Sequence, residues 1–192
     1  HLGVPFSLFQ IKKETKYAII ELGSNHPGEI ETLCKISIPD FGVTTNIGAT
    51  HLEFFGTLEN VLKEEATLGH YADVFLMNAD DELLKSFSTE KKVIQFGEAG
   101  LDYKFEFPNP QEVKVNHNLL ANTRITGRHN FINLAVAFVL AKLLDSEKIE
   151  NYIDAAKSFQ PTANRSQWVE WNGVETFLDA YNANPSSMQA SV

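Results

Sequence analysis

The chain has 192 residues, of which 43% are hydrophobic and 21% charged, as in one large or two small globular domains. Its 16 basic and 25 acidic side chains give a net charge of −9, which argues against a broad nucleic-acid-binding face and against attraction to an anionic membrane. The single cysteine, Cys34, excludes an intramolecular disulfide and a multi-cysteine metal site.

Strands and helices alternate through the first half of the sequence. Short apolar runs closed by glycine or turn residues predict buried strands, and apolar residues at a helical spacing predict helices between them. The predicted strands are residues 17–22, 41–47, 74–77 and 92–96, and the predicted helices are residues 28–37, 58–71 and 80–86. Because strands joined by helices run parallel, this half predicts an α/β fold with a mostly parallel sheet flanked by helices.

The pattern changes after residue 100. Pro108-Asn109-Pro110 separates two extended runs that fit an antiparallel pair, and Asn172-Gly173 is typical of a type I′ turn in a small antiparallel hairpin. Ser146 fits the N-cap of a late helix, and Asn184 that of a last helix opened by Pro185. The predicted elements are strands 102–107 and 112–116, helices 129–144 and 146–159, and a hairpin of residues 167–171 and 174–178.

Polar side chains follow two predicted strands at their carboxyl ends, where open α/β sheets bind ligands. Glu21 closes strand 17–22, and its carboxylate suits Mg²⁺, which prefers oxygen ligands; an acidic cap on the next helix is the alternative. Asn46 lies at the end of strand 41–47 and His51 follows that strand, so both are placed to reach a nucleotide or a metal across the neighbouring strand end. The alternative for His51 is a loop residue that caps its own surroundings.

Polar residues of the second half suit a nucleotide. Asn130 and Asn133 share one face of a helix start, where two amides can bind the edge of a base or simply cap the helix. Arg165 offers a bidentate fork that suits phosphate. Asp179 can accept hydrogen bonds from ribose hydroxyls or serve as an ordinary turn carboxylate.

Two further features indicate structure rather than chemistry. The charged run Lys63-Glu64-Glu65 indicates a solvated helix face. Cys34 lies on an apolar helical face without an activating cation nearby, which indicates a core residue.

In this order the segments resemble the Mur ligases, ATP-dependent amide-forming enzymes of peptidoglycan synthesis. The family-wide parts are the Glu-x-Gly strand end at residues 21–23, the segment NIGATH at 46–51 and the helix start GRHNFIN at 127–133. Narrower strings are typical of the branch that joins D-alanyl-D-alanine to UDP-N-acetylmuramoyl-tripeptide. These strings are GSNHPGEI at 23–30, HLE at 51–53 followed by Phe55-Gly56, and DAYNANP at 179–185.

The resemblance covers essentially the whole chain. Residues 1–178 resemble the central ATP-binding domain of the family without its N-terminal part, and residues 179–192 resemble the linker and the start of the C-terminal ligase domain. The resemblance implies ATP and Mg²⁺ as cofactors and an acyl-phosphate intermediate that the amino group of D-alanyl-D-alanine attacks. It further implies that Glu21 and His51 hold Mg²⁺, that Asn130 and Asn133 contact adenine, that Arg165 contacts the γ-phosphate, and that Asp179 contacts the ribose.

Two departures from the family pattern stand out. The chain has no G-x-x-x-x-G-K-[ST] phosphate loop, so we expect that these residues alone neither bind ATP tightly nor ligate anything. The family carries a lysine, usually carbamylated, fourteen residues after the metal-binding histidine, where this chain has Glu65. Lys63 lies about 200° around the helix from that position and cannot replace it. We hypothesise that Glu65 supplies the carboxylate directly; a degenerate, inactive site is the alternative.

The sequence therefore predicts part of an ATP-dependent ligase whose missing N- and C-terminal domains provide much of the substrate contact. No apolar run approaches the ~18 residues of a transmembrane helix and no secretory signal is visible. We expect a cytoplasmic monomer with no nucleic-acid partner and no membrane insertion. One alternative is a folylpolyglutamate-synthetase-like ligase, against which the DAYNANP string argues. The other is a non-catalytic nucleotide-binding or scaffolding homologue, which Glu65 and the absent phosphate loop keep open.

Overall fold

The computed structural model describes residues 2–162, 164–179 and 188. The chain divides into two compact units, His1–Gln95 and Phe96–Val192. Within the described residues, no helix is long and apolar enough to cross a bilayer.

The first unit contains short helices and parallel strands. Its helices are α1 (Gly3–Phe9), α2 (Glu29–Ser37), α3 (Leu52–Phe55), α4 (Leu58–Glu65) and α5 (Leu68–Tyr71), and its strands are β1 (Phe41–Thr44), β2 (Val74–Asn78) and the first part of β3 (Lys92–Gly97). Strand β1 pairs with β2 in parallel, with Phe41 opposite Val74 and Thr44 opposite Met77. This confirms the predicted parallel pairing, although β1 ends three residues earlier than predicted.

The core of the first unit lies where α4 and the turn after β2 meet the sheet. It is formed by Ala66, Phe75, Met77 and Leu84, with Ile47, Leu62, Phe87 and Val93 packed against them. Gly42 lets β1 approach α5 closely, because a Cβ there would lie 2.7 Å from the Leu68 side chain. Cys34 is 1% exposed, so its predicted core position is confirmed.

The helix predicted over residues 58–71 is divided into α4 and α5. Thr57 caps α4 by accepting a hydrogen bond from the Asn60 N–H at 3.3 Å. At the break, the Thr67 hydroxyl donates to the Lys63 carbonyl at 2.6 Å, a back-bond that bends helices. The helix predicted over residues 80–86 is likewise reduced to a 3₁₀ turn, Leu84–Ser86.

Residues 17–22 lie in no strand, so the prediction of a buried strand there is wrong. Tyr17 is 59% exposed and Ile19 is 98% exposed. An extended segment becomes a strand only when a neighbouring strand satisfies its backbone N–H and C=O groups. No strand among the described residues pairs with this segment, whatever its apolar pattern.

The second unit contains antiparallel strands and the longest helix. Its elements are β4 (Tyr103–Asn109), β5 (Glu112–Val115), β6 (Asn118–Ala121), α6 (Arg128–Leu144), α7 (Ile149–Ser158), β7 (Gln167–Trp171) and β8 (Val174–Leu178). The end of β3 pairs with β4 in parallel, whereas β4 pairs with β5 and β5 with β6 in antiparallel fashion. Within the second unit, β5 therefore lies between β4 and β6. The predicted α/β class is therefore confirmed, with β6 as an element that the sequence analysis missed.

The core of the second unit contains aromatic and aliphatic side chains from both the sheet and α6. The Phe96 and Phe105 rings stack with centroids 5.6 Å apart, and Phe131 and Val139 of α6 are almost completely buried. The helix predicted over 146–159 begins as a 3₁₀ turn, Ser146–Lys148, before α7. Asp145, not Ser146, caps this turn by accepting from the Glu147 N–H at 3.1 Å, so the predicted cap is wrong by one residue.

The hairpin of β7 and β8 matches its prediction. Asn172 and Gly173 have φ values of 52° and 78°, the two positive values that a type I′ turn requires. Both tryptophans of the chain lie on β7: Trp168 is 52% exposed and lies 5.1 Å from the Phe177 ring, and Trp171 is 66% exposed. The predicted helix start at Pro185 lies outside the described residues.

Candidate functional site

The loop after β1 is fixed by two polar side chains, one at the end of β2 and one in the turn that follows it. Asn78, which is 7% exposed, donates from Nδ2 to the Thr45 carbonyl at 2.7 Å. Asp81 Oδ2 accepts from the Ile47 N–H at 2.7 Å, while its Oδ1 accepts from two N–H groups of its own turn at 2.9 and 3.0 Å. The sequence analysis missed both residues, although their position directly after a predicted strand was the available signal.

Asn46 and His51 are exposed residues of this fixed loop. The Asn46 Oδ1 accepts from the Thr45 hydroxyl at 3.2 Å. His51 has a left-handed backbone, with φ 50°, and is the N-cap of α3. Its carbonyl accepts from the Phe54 and Phe55 N–H groups at 2.9 and 3.1 Å, and its ring makes no capping hydrogen bond. The backbone of His51 thus starts the helix and leaves the exposed imidazole for another role.

Glu65 projects from the end of α4 toward the same loop. Its Oε1 lies 3.5 Å from the hydroxyl of Thr50, which is the residue before His51. The side chain is half-buried, and this burial, together with the charges of Glu64 and Asp81, raises the pKa of its carboxyl group, against a smaller lowering by Thr50. A neighbouring cation would favour the charged carboxylate.

Glu21 is exposed and lies in the segment that forms no strand. The prediction that it closes a strand is therefore wrong, and its role as a metal ligand stays a prediction. Within the described residues, no group of three His, Cys, Asp or Glu side chains could hold a metal ion by itself. Mg²⁺ commonly takes only one or two protein carboxylates and completes its shell with water and substrate phosphates. The carboxylates of Glu21 and Glu65 fit this chemistry without forming a complete cage.

The start of α6 has local partners as well as exposed groups. Asn130 donates from Nδ2 to the Thr126 carbonyl at 2.7 Å, a contact that does not cap the helix, because a cap has to accept from backbone N–H groups. Asn133, one turn later, is exposed. Arg128 forms an ion pair with Glu98, and its guanidinium lies 4.3 Å from the Phe107 ring centroid. These contacts orient the first turn of α6.

Ser166 joins three segments of the second unit. It is 4% exposed, its N–H donates to Asp179 Oδ1 at 3.3 Å, and its hydroxyl lies 3.5 Å from His129 Nε2. The start of α6 and the end of β8 are therefore brought to Ser166, next to the exposed Arg165. The sequence analysis singled out Arg165 and Asp179 but missed Ser166 and His129, since the connection is non-local. Residues 180–185 of the DAYNANP string lie outside the described residues.

Comparison with known proteins assigns the chain to a family. The profile of the Mur ligase middle domain matches residues 1–141. The chain therefore belongs to the Mur ligase family, of which it carries the middle domain.

The relatives and structural neighbours narrow the likeness to one branch of that family. The UDP-N-acetylmuramoyl-tripeptide–D-alanyl-D-alanine ligase of Bacillus subtilis is 29% identical, over 100% of this chain and 44% of that protein. The ligase of the same name from Mycobacterium tuberculosis H37Rv is 28% identical, over 100% of this chain and 40% of that protein. The chain thus spans less than half the length of these relatives.

Solved structures agree with these likenesses. A crystal structure of MurF from Acinetobacter baumannii has a TM-score of 0.82 and 28% identity, over 98% of this chain and 44% of that chain. MurF from Thermotoga maritima in complex with ADP has a TM-score of 0.80 over 98% of this chain and 46% of that chain. At 23% identity, this second neighbour supports the fold alone.

Proposed function

We propose that this chain is the central portion of an ATP-dependent ligase that adds D-alanyl-D-alanine to UDP-N-acetylmuramoyl-tripeptide in peptidoglycan precursor synthesis. Family membership and relatives named for this reaction, aligned over the whole chain, support the proposal. The same names disfavour the folylpolyglutamate-synthetase-like alternative. Because the chain spans less than half of those relatives, we assign much of the substrate contact to N- and C-terminal domains beyond these residues.

The proposed reaction has two steps. The tripeptide carboxylate attacks the γ-phosphorus of ATP, so that an acyl phosphate forms and ADP leaves. The amino group of D-alanyl-D-alanine then attacks the acyl carbon, so that an amide forms, inorganic phosphate leaves and the amine loses a proton. Phosphoryl transfer of this kind depends on alignment and charge neutralisation more than on covalent help from the protein.

The contact between Thr50 and Glu65 carries the proposal in the first unit. It brings a half-buried carboxylate to the loop that bears the exposed His51 ring. We assign His51 and Glu65 to one Mg²⁺ and Glu21 to another. When bound, Mg²⁺ neutralises the developing charge of the transferred phosphoryl group. Glu65 would supply its carboxylate permanently, without carbamylation of a lysine.

The nucleotide contacts are assigned as follows. Asn130 uses its Nδ2 for the Thr126 carbonyl, which leaves Oδ1 as the atom suited to accept from the amino group of adenine. Asn133, which lies one turn further on the same helix, is assigned to adenine as well. Asn46, on the loop of the first unit, is also assigned to the nucleotide. Arg165 binds the γ-phosphate, and Asp179 accepts from the ribose. We also assign the protein to the cytoplasm, as a monomer.

The test uses the complete protein that contains these residues. With UDP-N-acetylmuramoyl-tripeptide, D-alanyl-D-alanine, ATP and Mg²⁺ together, we expect phosphate release and an amide product; omission of the dipeptide is the control. The 192-residue chain alone, which has no phosphate-loop sequence, should neither ligate nor bind ATP tightly. Ligation by this chain alone would contradict that expectation. Nucleotide binding without ligation by the complete protein would favour the non-catalytic homologue.

A further inference from the structure

Glu64 is the one charged side chain that is buried among the described residues, with 7% of its surface exposed. Its Oε2 accepts from the Gly28 N–H at 2.7 Å, and its Oε1 accepts from the Ile30 N–H at 2.8 Å. The expectation that residues 63–65 form a solvated face is therefore wrong at this position. A buried carboxylate needs such partners, because without them nothing in the protein compensates for the hydration free energy that the charge loses on burial.

Both N–H groups belong to the beginning of α2, which has no side-chain cap of its own. Its N-cap residue, Gly28, has φ +88° and no side chain. The neighbouring Glu29 accepts from the Asn25 N–H at 2.7 Å, on the other side of the turn. N–H groups of a first helical turn lack partners within the helix and carry partial positive charge. Glu64 supplies the missing acceptor from 36 residues further along the chain.

Glu64 and Glu65 are successive residues of α4, so their side chains project about 100° apart. One carboxylate binds the start of α2, and the other lies 3.5 Å from the Thr50 hydroxyl. The turn before α2 also contacts α3, because the His26 and Phe54 ring centroids are 4.4 Å apart. The end of α4 thus connects the turn that follows Glu21 to the loop that bears His51.

We infer that Glu64 is a positioning residue, which fixes the turn over residues 24–28 against the helix that carries Glu65. The inference rests on the proposed function, in which Glu21 and Glu65 both hold Mg²⁺. A carboxylate accepts from two N–H groups at once, whereas an amide presents a donor to one of them. Loss of Glu64 therefore releases the Glu21 segment from α4 and loosens the spacing of the metal-binding side chains.

The test compares Glu64→Gln with Glu59→Gln in the complete protein. Glu59 is an exposed glutamate of the same helix, so the control makes the same chemical change away from the contact. We expect the amide protons of Gly28 and Ile30 to exchange about tenfold faster or more in Glu64→Gln, since a hydrogen bond to a charged group is lost. We also expect the Mg²⁺ concentration for half-maximal turnover to rise about fivefold or more, with the KM for D-alanyl-D-alanine changed less than about twofold.

Each result decides the inference. Faster exchange with an unchanged Mg²⁺ requirement would make Glu64 only a structural cap and would overturn the positioning role. Unchanged exchange would overturn the contact itself. Glu64→Ala removes both hydrogen bonds and should show larger effects; if it fails to fold, Glu64→Gln still decides. If the wild-type protein shows no ligation, the proposed function fails separately. The role of Glu64 is then decided by hydrogen exchange: we compare the Mg²⁺-dependent protection of residues 50–65 in the wild type and in Glu64→Gln.

Discussion

The Thr50 hydroxyl lies 3.5 Å from Glu65 Oε1, and this contact joins the loop that bears His51 to the end of α4. Burial raises the pKa of this carboxyl group; the Thr50 hydroxyl lowers it, and the nearby carboxylates of Glu64 and Asp81 raise it. A bound cation is the partner that best stabilises its charged form.

Glu65→Gln in the complete protein should lower turnover by about 100-fold or more, because the carboxylate charge that we assign to the proposed Mg²⁺ site is lost. Glu65→Lys restores the residue of the family pattern, and its turnover should depend on dissolved CO₂. The wild-type protein should be indifferent to CO₂ removal. Steady-state rates in degassed and bicarbonate-supplemented buffer measure the difference. A CO₂-dependent wild type, or full turnover in Glu65→Gln, would remove Glu65 from the site.

Asp81→Asn should destabilise the protein by about 1–3 kcal/mol, since the carboxylate accepts from three N–H groups and an amide leaves at least one of them poorly paired. Urea unfolding followed by circular dichroism measures the free energy. Glu82→Gln is the matched control, because Glu82 is 83% exposed and its ion pair with Lys85 is worth about 1 kcal/mol or less. Equal effects of the two substitutions would contradict the role of Asp81 in fixing the Ile47 loop.

Asp179→Ala should raise the KM for ATP about tenfold, because the proposed ribose acceptor and the partner of the Ser166 N–H are lost together. Glu175→Ala, at an exposed position of β8, is the control and should leave this KM unchanged. Initial rates at varied ATP concentration separate the KM from kcat. A lower kcat with an unchanged KM would place Asp179 outside the nucleotide contacts.

The free energy of unfolding should fall between about pH 9 and about pH 11 through Cys34. Burial, with a smaller contribution from the charge of Glu64, raises the pKa of this thiol from 9.0 to about 11. The unfolded chain therefore loses the proton first as the pH rises, so unfolding becomes more favourable in this window, while the contribution is constant below it. Cys34→Ala should lack this part of the pH dependence in urea unfolding. Identical pH slopes for both proteins would contradict the shift.

Local chemistry explains which parts of the fold were predictable. The Asn172-Gly173 turn was found from two residues, because the positive φ values of a type I′ turn are a property of those residues themselves. The helix over α6 was found for a similar reason, since a long periodic apolar pattern has few competing structures. The strand over 17–22 was not, because a strand depends on a partner that the segment's own residues do not specify.

The candidate site divides along the same line. His51, Arg165 and Asp179 could be singled out as candidates because they stand beside strand ends and turns in polar strings. Asn78 and Asp81 were missed because each binds a loop that is far away in sequence, and Ser166 because it contacts the distant start of α6. Glu64 shows the limit most clearly, since its position in a charged helical run indicated solvent exposure, and only the folded chain places it at the start of α2.

The placement of both tryptophans on β7 makes intrinsic fluorescence a local signal. Trp168 lies two residues after Ser166, and Trp171 is the last residue of β7, directly before the Asn172-Gly173 turn. Tryptophan emission of these residues therefore comes from the hairpin next to Asp179. An unfolding curve followed by tryptophan emission is therefore a signal from β7, whereas circular dichroism, which sums over the whole backbone, also includes the first unit, where Asp81 lies.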